Sequence, residues 1–309
     1  MAVTEMDGIL IIDKPVEWTS HDVVAKMRGI LRTRRIGHTG TLDPFATGVL
    51  VVCINRATRL VQFLTGHDKE YLATLRLGWR TDTGDLTGQA QGEPVEARMI
   101  DPQMINVALA SFRGELEQTP PMFSARKIAG RRLYELARAG KVVERPPIKV
   151  HISQLELISC TPANDHPMAL DVEIRVTCSA GTYIRTLAED IGQHLGIGAH
   201  LIALRRIRAG RCRIEQAITL DQLTRIVQDG QVLAHLQPMA ETLDLPMITL
   251  TDAELISIRH GRAHPCADQG EAHLSHQTVS LCDQQGRLQA VASYDSGRAA
   301  FAPRVVLAS

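Results

Sequence analysis

Asp43 keeps the company that chemistry requires. It sits in Gly37-His38-Thr39-Gly40-Thr41-Leu42-Asp43-Pro44-Phe45-Ala46-Thr47-Gly48, a polar, glycine-bearing loop between a basic helix end and an apolar strand. Loops held on rigid elements are where reactive groups concentrate. A carboxylate nucleophile must be ionised and accessible, so a cation or several donors must hold its pKa low. Arg185, one turn into a helix after Ser179-Ala180-Gly181-Thr182-Tyr183, is a candidate for that cation. A plainer reading of Asp43 stays open, because Asp-Pro also opens type I turns and caps helices.

Other chemistry is weakly signalled. His260, His264, Cys266, His273, His276 and Cys282 gather within residues 260–282, but no CxxC or deaminase-type signature accompanies them, and no metal site is expected. Gly196-Ile197-Gly198 lacks the third glycine and the preceding strand of a dinucleotide loop, and neither Walker A nor GxSxG occurs. No cofactor is signalled.

Several elements must hold this loop. Ile9–Ile12 reads as a buried strand ended by Asp13-Lys14-Pro15. Thr19 or Ser20 caps a helix through about Leu31, on the apolar spacing of Val23, Val24 and Met27. A strand over Val49–Ile54, a helix over Ala57–Thr65 and a strand through Tyr71, Ala73, Leu75 and Leu77 follow. Asp101-Pro102 opens a helix that ends before Gly114. Residues 115–149 are proline-bearing and basic around one short helix (Arg131–Ala139) and read as an insertion. Leu170, Val172, Ile174 and Val176 mark a half-exposed strand, and a helix runs from about Tyr183 to Leu195. Pro238 and Pro246 bracket a linker crossed by few contacts, and residues 247–309 form a small glycine-rich module with short β-type runs. Antiparallel, alternating strands interleaved with helices predict α+β architecture rather than a doubly wound sheet.

The 309 residues carry zero formal net charge, but residues 1–213 are net +5 and residues 214–309 net −5. Basic residues cluster at Lys26, Arg28, Arg32, Arg34 and Arg35, again at Arg205, Arg206, Arg208, Arg211 and Arg213, and across 113–149. Three such clusters suggest a polyanionic partner touching several surfaces. Any one alone reads equally well as a solvated face. With 44% hydrophobic and 22% charged residues, the composition excludes a disordered chain. No apolar run reaches the ~18 residues of a membrane span, and Met1–Gly8 is too short and polar for a signal peptide. Six cysteines without a CxxC read as buried hydrophobes in a reducing compartment. A cytoplasmic protein with no membrane partner is expected.

The Gly37–Gly48 stretch resembles the signature of the TruB-type tRNA pseudouridine-55 synthases without a gap. Ile12-Asp13-Lys14-Pro15 with Trp18-Thr19-Ser20 resembles that family's N-terminal motif, and Lys69-Glu70-Tyr71 the strand bearing its active-site tyrosine. Arg80-Thr81-Asp82-Thr83 is similar to the stretch that follows, and Pro120–Lys127 with Gly130 and Leu133–Arg138 to the insertion of stand-alone bacterial members. Cys178–Arg185, Gly198–Leu201 and Leu204-Arg205-Arg206 complete a match spanning roughly residues 8–220. Two positions depart from it: Glu17 stands where glycine is usual, and Phe123 where tyrosine is common.

The resemblance implies a mixed, largely antiparallel sheet of the pseudouridine synthase type with flanking helices. It assigns residues 1–240 to the catalytic domain, with an RNA-gripping insertion at about 113–149, and 247–309 to a small β-rich PUA-like module. It implies that Asp43 is the nucleophile isomerising the uridine of the tRNA T-loop, that Tyr71 stacks on the flipped base and takes part in proton removal, and that Arg185 pairs with Asp43. Tyr183 and Leu204 would line the pocket, His38 would support the loop opened by flipping, and Lys14 would be a lesser RNA contact. The partner implied is the tRNA T-arm stem-loop, bound by a monomer without an obligate protein partner. Isomerising an N- to a C-glycoside needs no redox group, metal or cofactor, but it does need the base out of its stack. A relative working through a guide RNA would share Asp43; the basic insertion and the absence of a lysine-rich tail point away from it.

Overall fold

The computed structural model describes residues 6–124, 126–128, 130–138, 140–141, 143–266 and 277–307. The first strand, β1 (Gly8–Lys14), is apolar on both sides because both are covered. Ile9 and Ile11 enter one apolar cluster, Leu10 and Ile12 another. Helix α1 (Ser20–Leu31) starts at a capping box in which the Thr19 hydroxyl accepts from the Asp22 backbone N–H while the Asp22 carboxylate accepts from that of Thr19. Val23, Val24, Met27 and Leu31 then lie buried on one stripe.

The short strand β2 (Ile36–His38) leads into the Asp43 loop, which returns as β3 (Thr47–Ile54). The helix expected over Ala57–Thr65 is split into a 3-10 stretch, Asn55–Leu60, and one turn, α2 (Val61–Leu64). Its entry explains the tight start, since Asn55 takes φ 52°. Strand β4 (Lys69–Leu77) alternates strictly, burying Lys69, Tyr71, Ala73, Leu75 and Leu77 on one face. A small ribbon, β5 (Arg80–Thr81) and β6 (Ala90–Gln91), precedes α3 (Pro102–Ala110), capped by Asp101. Next come β7 (Gly114–Gln118), the paired β8 (Lys127–Ile128) and β9 (Arg131–Arg132), and α4 (Leu133–Arg138). Ala139, the predicted end of that helix, lies outside the described residues.

Strands β10 (Ile148–Pro162) and β11 (Leu170–Cys178) are followed by α5 (Ile184–His194), β12 (Ala199–Ala209) and β13 (Cys212–Arg213). The large sheet runs β1-β3-β12-β4-β11-β10-β7, with β2 on β3 and β13 on β12. Among the described residues every strand pair in it is antiparallel except β12 with β3, which makes the sheet mixed and largely antiparallel. β12 and β4 are its central strands, with α5 packed on the face that Tyr71 shares.

Helix α6 (Leu220–Gln228) packs beside α1. The Pro238–Pro246 stretch is not an open linker: it folds as α7 (Met239–Leu243), with Ala240, Thr242 and Leu243 buried. A second sheet then follows, β14 (Met247–Thr249), α8 (Asp252–Arg259), β15 (His264–Pro265), β16 (Thr278–Cys282), β17 (Leu288–Asp295) and β18 (Ala300–Val306), with strand order β14-β16-β17-β18-β15. The expectation of few contacts across 238–246 fails. Cys282, Leu288, Val291, Val305 and Leu307 share one apolar cluster with Ile9, Ile11, Val49, Val51 and Leu243. Arg56 also donates to the Leu307 carbonyl at 2.7 Å and Arg59 to that of Val306 at 2.5 Å.

Candidate active site

The Asp43 loop is anchored by its own side chains. Leu42, Phe45 and Ala46 lie in the cluster that holds Tyr71 and Leu204, so the loop's apolar residues plug it into the core and leave Asp43 at the surface of that plug. The Leu42 N–H donates to the Ser20 hydroxyl at 2.9 Å, and the Glu17 N–H to the Pro44 carbonyl at 2.8 Å. Glu17 does this at φ 67°, a left-handed conformation that glycine adopts without steric cost.

Lys14 completes the anchor. Its side chain is fully buried, and Nζ donates to the carbonyls of Pro15 (2.9 Å), Trp18 (2.5 Å) and Pro44 (3.1 Å). All three ammonium protons are thus spent on backbone, and burial pushes its pKa down to about 8. The expected RNA contact at Lys14 is therefore corrected: it ties the first strand's end to the Asp43 loop from inside.

Asp43, Tyr71, Tyr183, Arg185 and Leu204 line one cavity of about 270 Å³, together with Thr39, Lys69, Ser124, Arg126 and Arg206. Arg185, 5% exposed, meets the carboxylate with two nitrogens, Nε to Oδ2 at 2.9 Å and Nη2 to Oδ1 at 3.2 Å. The same guanidinium donates to the carbonyls of Thr83 at 3.0 Å and Phe123 at 2.6 Å. Burial pushes the Asp43 carboxyl above its ordinary range, opposed by the Arg185 charge. Tyr71 is buried and its phenol is likewise pushed up by burial. Tyr183 caps α5; its N–H donates to the Gln118 side chain at 3.0 Å.

His38 does not line this cavity. It sits at the end of β2 with its ring edge-on to His21, centroids 5.5 Å apart at 82°, and its buried Nδ1 has no hydrogen-bond partner among the described residues. Burial, with the His21 and Arg206 charges, pulls its pKa down to about 4, so it is neutral near pH 7.

A cavity, a carboxylate held by a forked cation and a buried tyrosine come together where the Asp43 loop and α5 meet the central strand β4 of a mixed sheet. Residues 28–184 match the profile described as TruB family pseudouridylate synthase (N terminal domain), and 185–244 that of the tRNA pseudouridylate synthase B C-terminal domain. The chain belongs to the TruB family. It is 44% identical over 263 residues to the tRNA pseudouridine synthase B of Solibacter usitatus, covering 85% of this chain and 87% of that one. It is 42% identical over 308 residues to that of Burkholderia mallei, covering 96% of each. Among solved structures, a Cbf5-Nop10-Gar1 complex superposes with TM-score 0.69 at 29% identity, over 95% of this chain and 79% of that one. An H/ACA RNP bound to a substrate RNA containing 2'-deoxyuridine gives 0.72 at 26%, over 98% and 85%.

In this TruB-family chain the sequence reading missed two groups. Asp85, buried, lies two residues beyond the Arg80–Thr83 stretch; its Oδ1 accepts from the Thr83 hydroxyl (2.8 Å), the Thr87 N–H (2.9 Å) and the Thr87 hydroxyl (2.5 Å). Its Oδ2 lies 3.7 Å from Arg185 Nη1, placing a second carboxylate on the same cation. Arg206 was visible as one member of a basic cluster and of the Leu204-Arg205-Arg206 stretch, with no role attached, and it is buried. The rest of that cluster is largely neutralised: Arg205 pairs with Asp13 at 2.7 Å, Arg208 with Glu70 at 3.0 Å and Arg211 with Asp244 at 2.6 Å. By contrast Lys26, Arg28, Arg32, Arg34 and Arg35 are all exposed, and none pairs with a carboxylate among the described residues. Among the described residues no three metal-ligating side chains come together; His273 and His276 lie outside them. No helix among the described residues is long and apolar enough to cross a membrane.

Proposed function

We propose that this chain isomerises uridine 55 in the T-loop of tRNA to pseudouridine, with Asp43 as nucleophile acting on a base flipped out of its stack. The observation that carries the reading is the Asp43 carboxylate gripped by Arg185 at 2.9 and 3.2 Å, in the cavity that also holds Tyr71. A forked cation favours the ionised form of a partly buried carboxylate against the burial that raises its pKa, and it aims the oxygens, both of which a nucleophile needs. The reaction breaks the bond from C1′ to N1 and forms one from C1′ to C5. A proton leaves C5 and one is taken up at N1, so nothing is oxidised or reduced.

A cavity of about 270 Å³ lies just below the ~300–1,000 Å³ clefts that take drug-sized ligands and suits one extruded base. Tyr71, Tyr183 and Leu204 supply its aromatic and apolar walls, and Ser124 and Arg126 bring the 113–149 insertion to its rim. The exposed cations from Lys26 to Arg35 give a surface for phosphates, and residues 247–309 act as a PUA-like RNA-binding module on the 1–240 catalytic domain. The relatives named tRNA pseudouridine synthase B support tRNA as substrate. The reading makes the chain a cytoplasmic monomer. Its test is Asp43→Asn on an unmodified T-arm stem-loop: turnover is abolished while RNA affinity stays within a few-fold. Residual pseudouridine formation above a few per cent of wild type removes Asp43 from this role.

A further inference from the structure

Arg206 is 3% exposed in the middle of the large sheet, and no carboxylate pairs with it among the described residues. Buried charges are ordinarily matched by an opposite charge, so a guanidinium satisfied otherwise calls for a reason. Its acceptors are informative. Nε donates to the Val49 carbonyl at 2.7 Å, at the start of the strand leaving the Asp43 loop. Nη2 donates to the Gly40 carbonyl at 3.1 Å, on the arm entering that loop. One planar fork therefore clamps both ends of the loop that carries Asp43.

The same residue is the cross-strand partner of Tyr71 in the β12–β4 ladder, and both line the cavity that holds Asp43. The Arg206 charge lies close enough to the phenol to oppose part of the rise that burial gives the Tyr71 pKa. The backbone makes room for this placement. β12 runs against β3 with Arg206 opposite Gly48, and a Cβ at Gly48 would meet the Arg206 carbonyl at 2.2 Å, with φ at +100°. No side chain fits there, and glycine lets the strand carrying Arg206 slide under the loop.

We propose that Arg206 is a positioning residue for the isomerisation, fixing the Asp43 loop against the strand that carries Tyr71 through one buried guanidinium. The proposal rests on the functional reading above, in which Asp43 and Tyr71 face the same base. It separates Arg206 from Arg185: Arg185 touches the reacting carboxylate, whereas Arg206 acts through the loop and the strand beside it.

The test compares wild type, Arg206→Lys and Arg206→Gln on the T-arm stem-loop, measuring melting temperature, RNA Kd and the single-turnover rate at saturating RNA, well below every melting temperature. Lysine keeps the charge and loses the fork; if the glutamine variant does not fold, lysine carries the test. The expected result for Arg206→Lys is a rate lower by 30- to 100-fold with Kd within threefold of wild type. In a Tyr71→Phe background the further loss from Arg206→Lys shrinks below tenfold, because the phenol against which the Asp43 loop is positioned is already gone. A rate within threefold of wild type, or a rate loss matched by an equal loss of affinity, overturns the proposal. So does an undiminished effect in the Tyr71→Phe background. Wild-type turnover that is abolished in Asp43→Asn shows separately that the functional reading holds.

Discussion

Arg185→Lys is the perturbation whose size the geometry best defines. The guanidinium serves three residues at once: two bonds to the Asp43 carboxylate, at 2.9 and 3.2 Å, and one each to the Thr83 and Phe123 carbonyls. An ammonium is a point charge that reaches one carboxylate oxygen and cannot reproduce the fork. Losing one charge-assisted bond to Asp43 costs about 1.5–3 kcal/mol. At about 1.4 kcal/mol per decade that slows the step roughly 10- to 150-fold. Arg185→Met goes further, because it leaves Asp43 and Asp85 facing a buried site with no cation between them, a loss of about 3–5 kcal/mol. The sign on the pH axis follows. Burial already raises the Asp43 pKa and Arg185 opposes that rise, so removing the cation moves the pKa further up. Since the ionised carboxylate is the reactive form, activity is lost at a higher pH on acidification in Arg185→Met than in wild type. Single-turnover release of tritium from a stem-loop carrying 5-tritiated uridine, followed from pH 4.5 to 8 with RNA affinity measured alongside, reads both effects. An Arg185→Lys rate within threefold of wild type, or an acid limb that stays in place in Arg185→Met, refutes the reasoning.

Lys14→Met leaves three partly buried carbonyls without their donor, up to about 1–3 kcal/mol for each that water does not reach, so chemical denaturation shows a loss of stability while RNA Kd changes less than twofold; a Kd loss with intact stability restores Lys14 to the RNA surface. Glu17→Gly relieves a left-handed residue at φ 67° and raises stability by about 1 kcal/mol in urea melts; an unchanged or lower midpoint contradicts the strain argument. His38 is held neutral down to about pH 4 when folded but protonates near 6.5 when unfolded, so the unfolded chain binds more protons in that window and stability falls as pH drops through it. His38→Gln flattens that slope, and an equally steep decline in the variant assigns it elsewhere. Deleting residues 247–309 strips Cys282, Leu288, Val291, Val305 and Leu307 from a cluster shared with β1 and β3, so the truncated protein melts many degrees lower or is insoluble; an unchanged melting temperature defeats the shared-core account.

The elements built from apolar periodicity were legible. α1 announced itself through Thr19, Asp22 and the Val23–Leu31 stripe, α3 through Asp101-Pro102, and β4 and β11 through strict alternation. What escaped was β12, the strand that crosses the centre of the sheet, because Arg205, Arg206 and Arg208 make its second half read as a solvated face. Their neutralising partners come from far along the chain, Asp13 from β1 and Glu70 from β4, and only the fold brings them there. α7 escaped for a similar reason, since two flanking prolines read as punctuation and a five-residue helix has too little periodicity to answer them. Buried cations are the harder case. Lys14 and Arg206 are satisfied by carbonyls, and a carbonyl is present at every residue, so their acceptors at Pro15, Trp18, Pro44, Gly40 and Val49 leave no mark in the choice of side chains. A carboxylate partner would at least have been visible as a charge to be matched. Basic residues in a nucleic-acid-modifying chain therefore divide into those that face the polyanion and those that hold the backbone presenting the reactive group. Within 205–213, burial tells the two apart: Arg206 is 3% exposed, while Arg213 faces solvent.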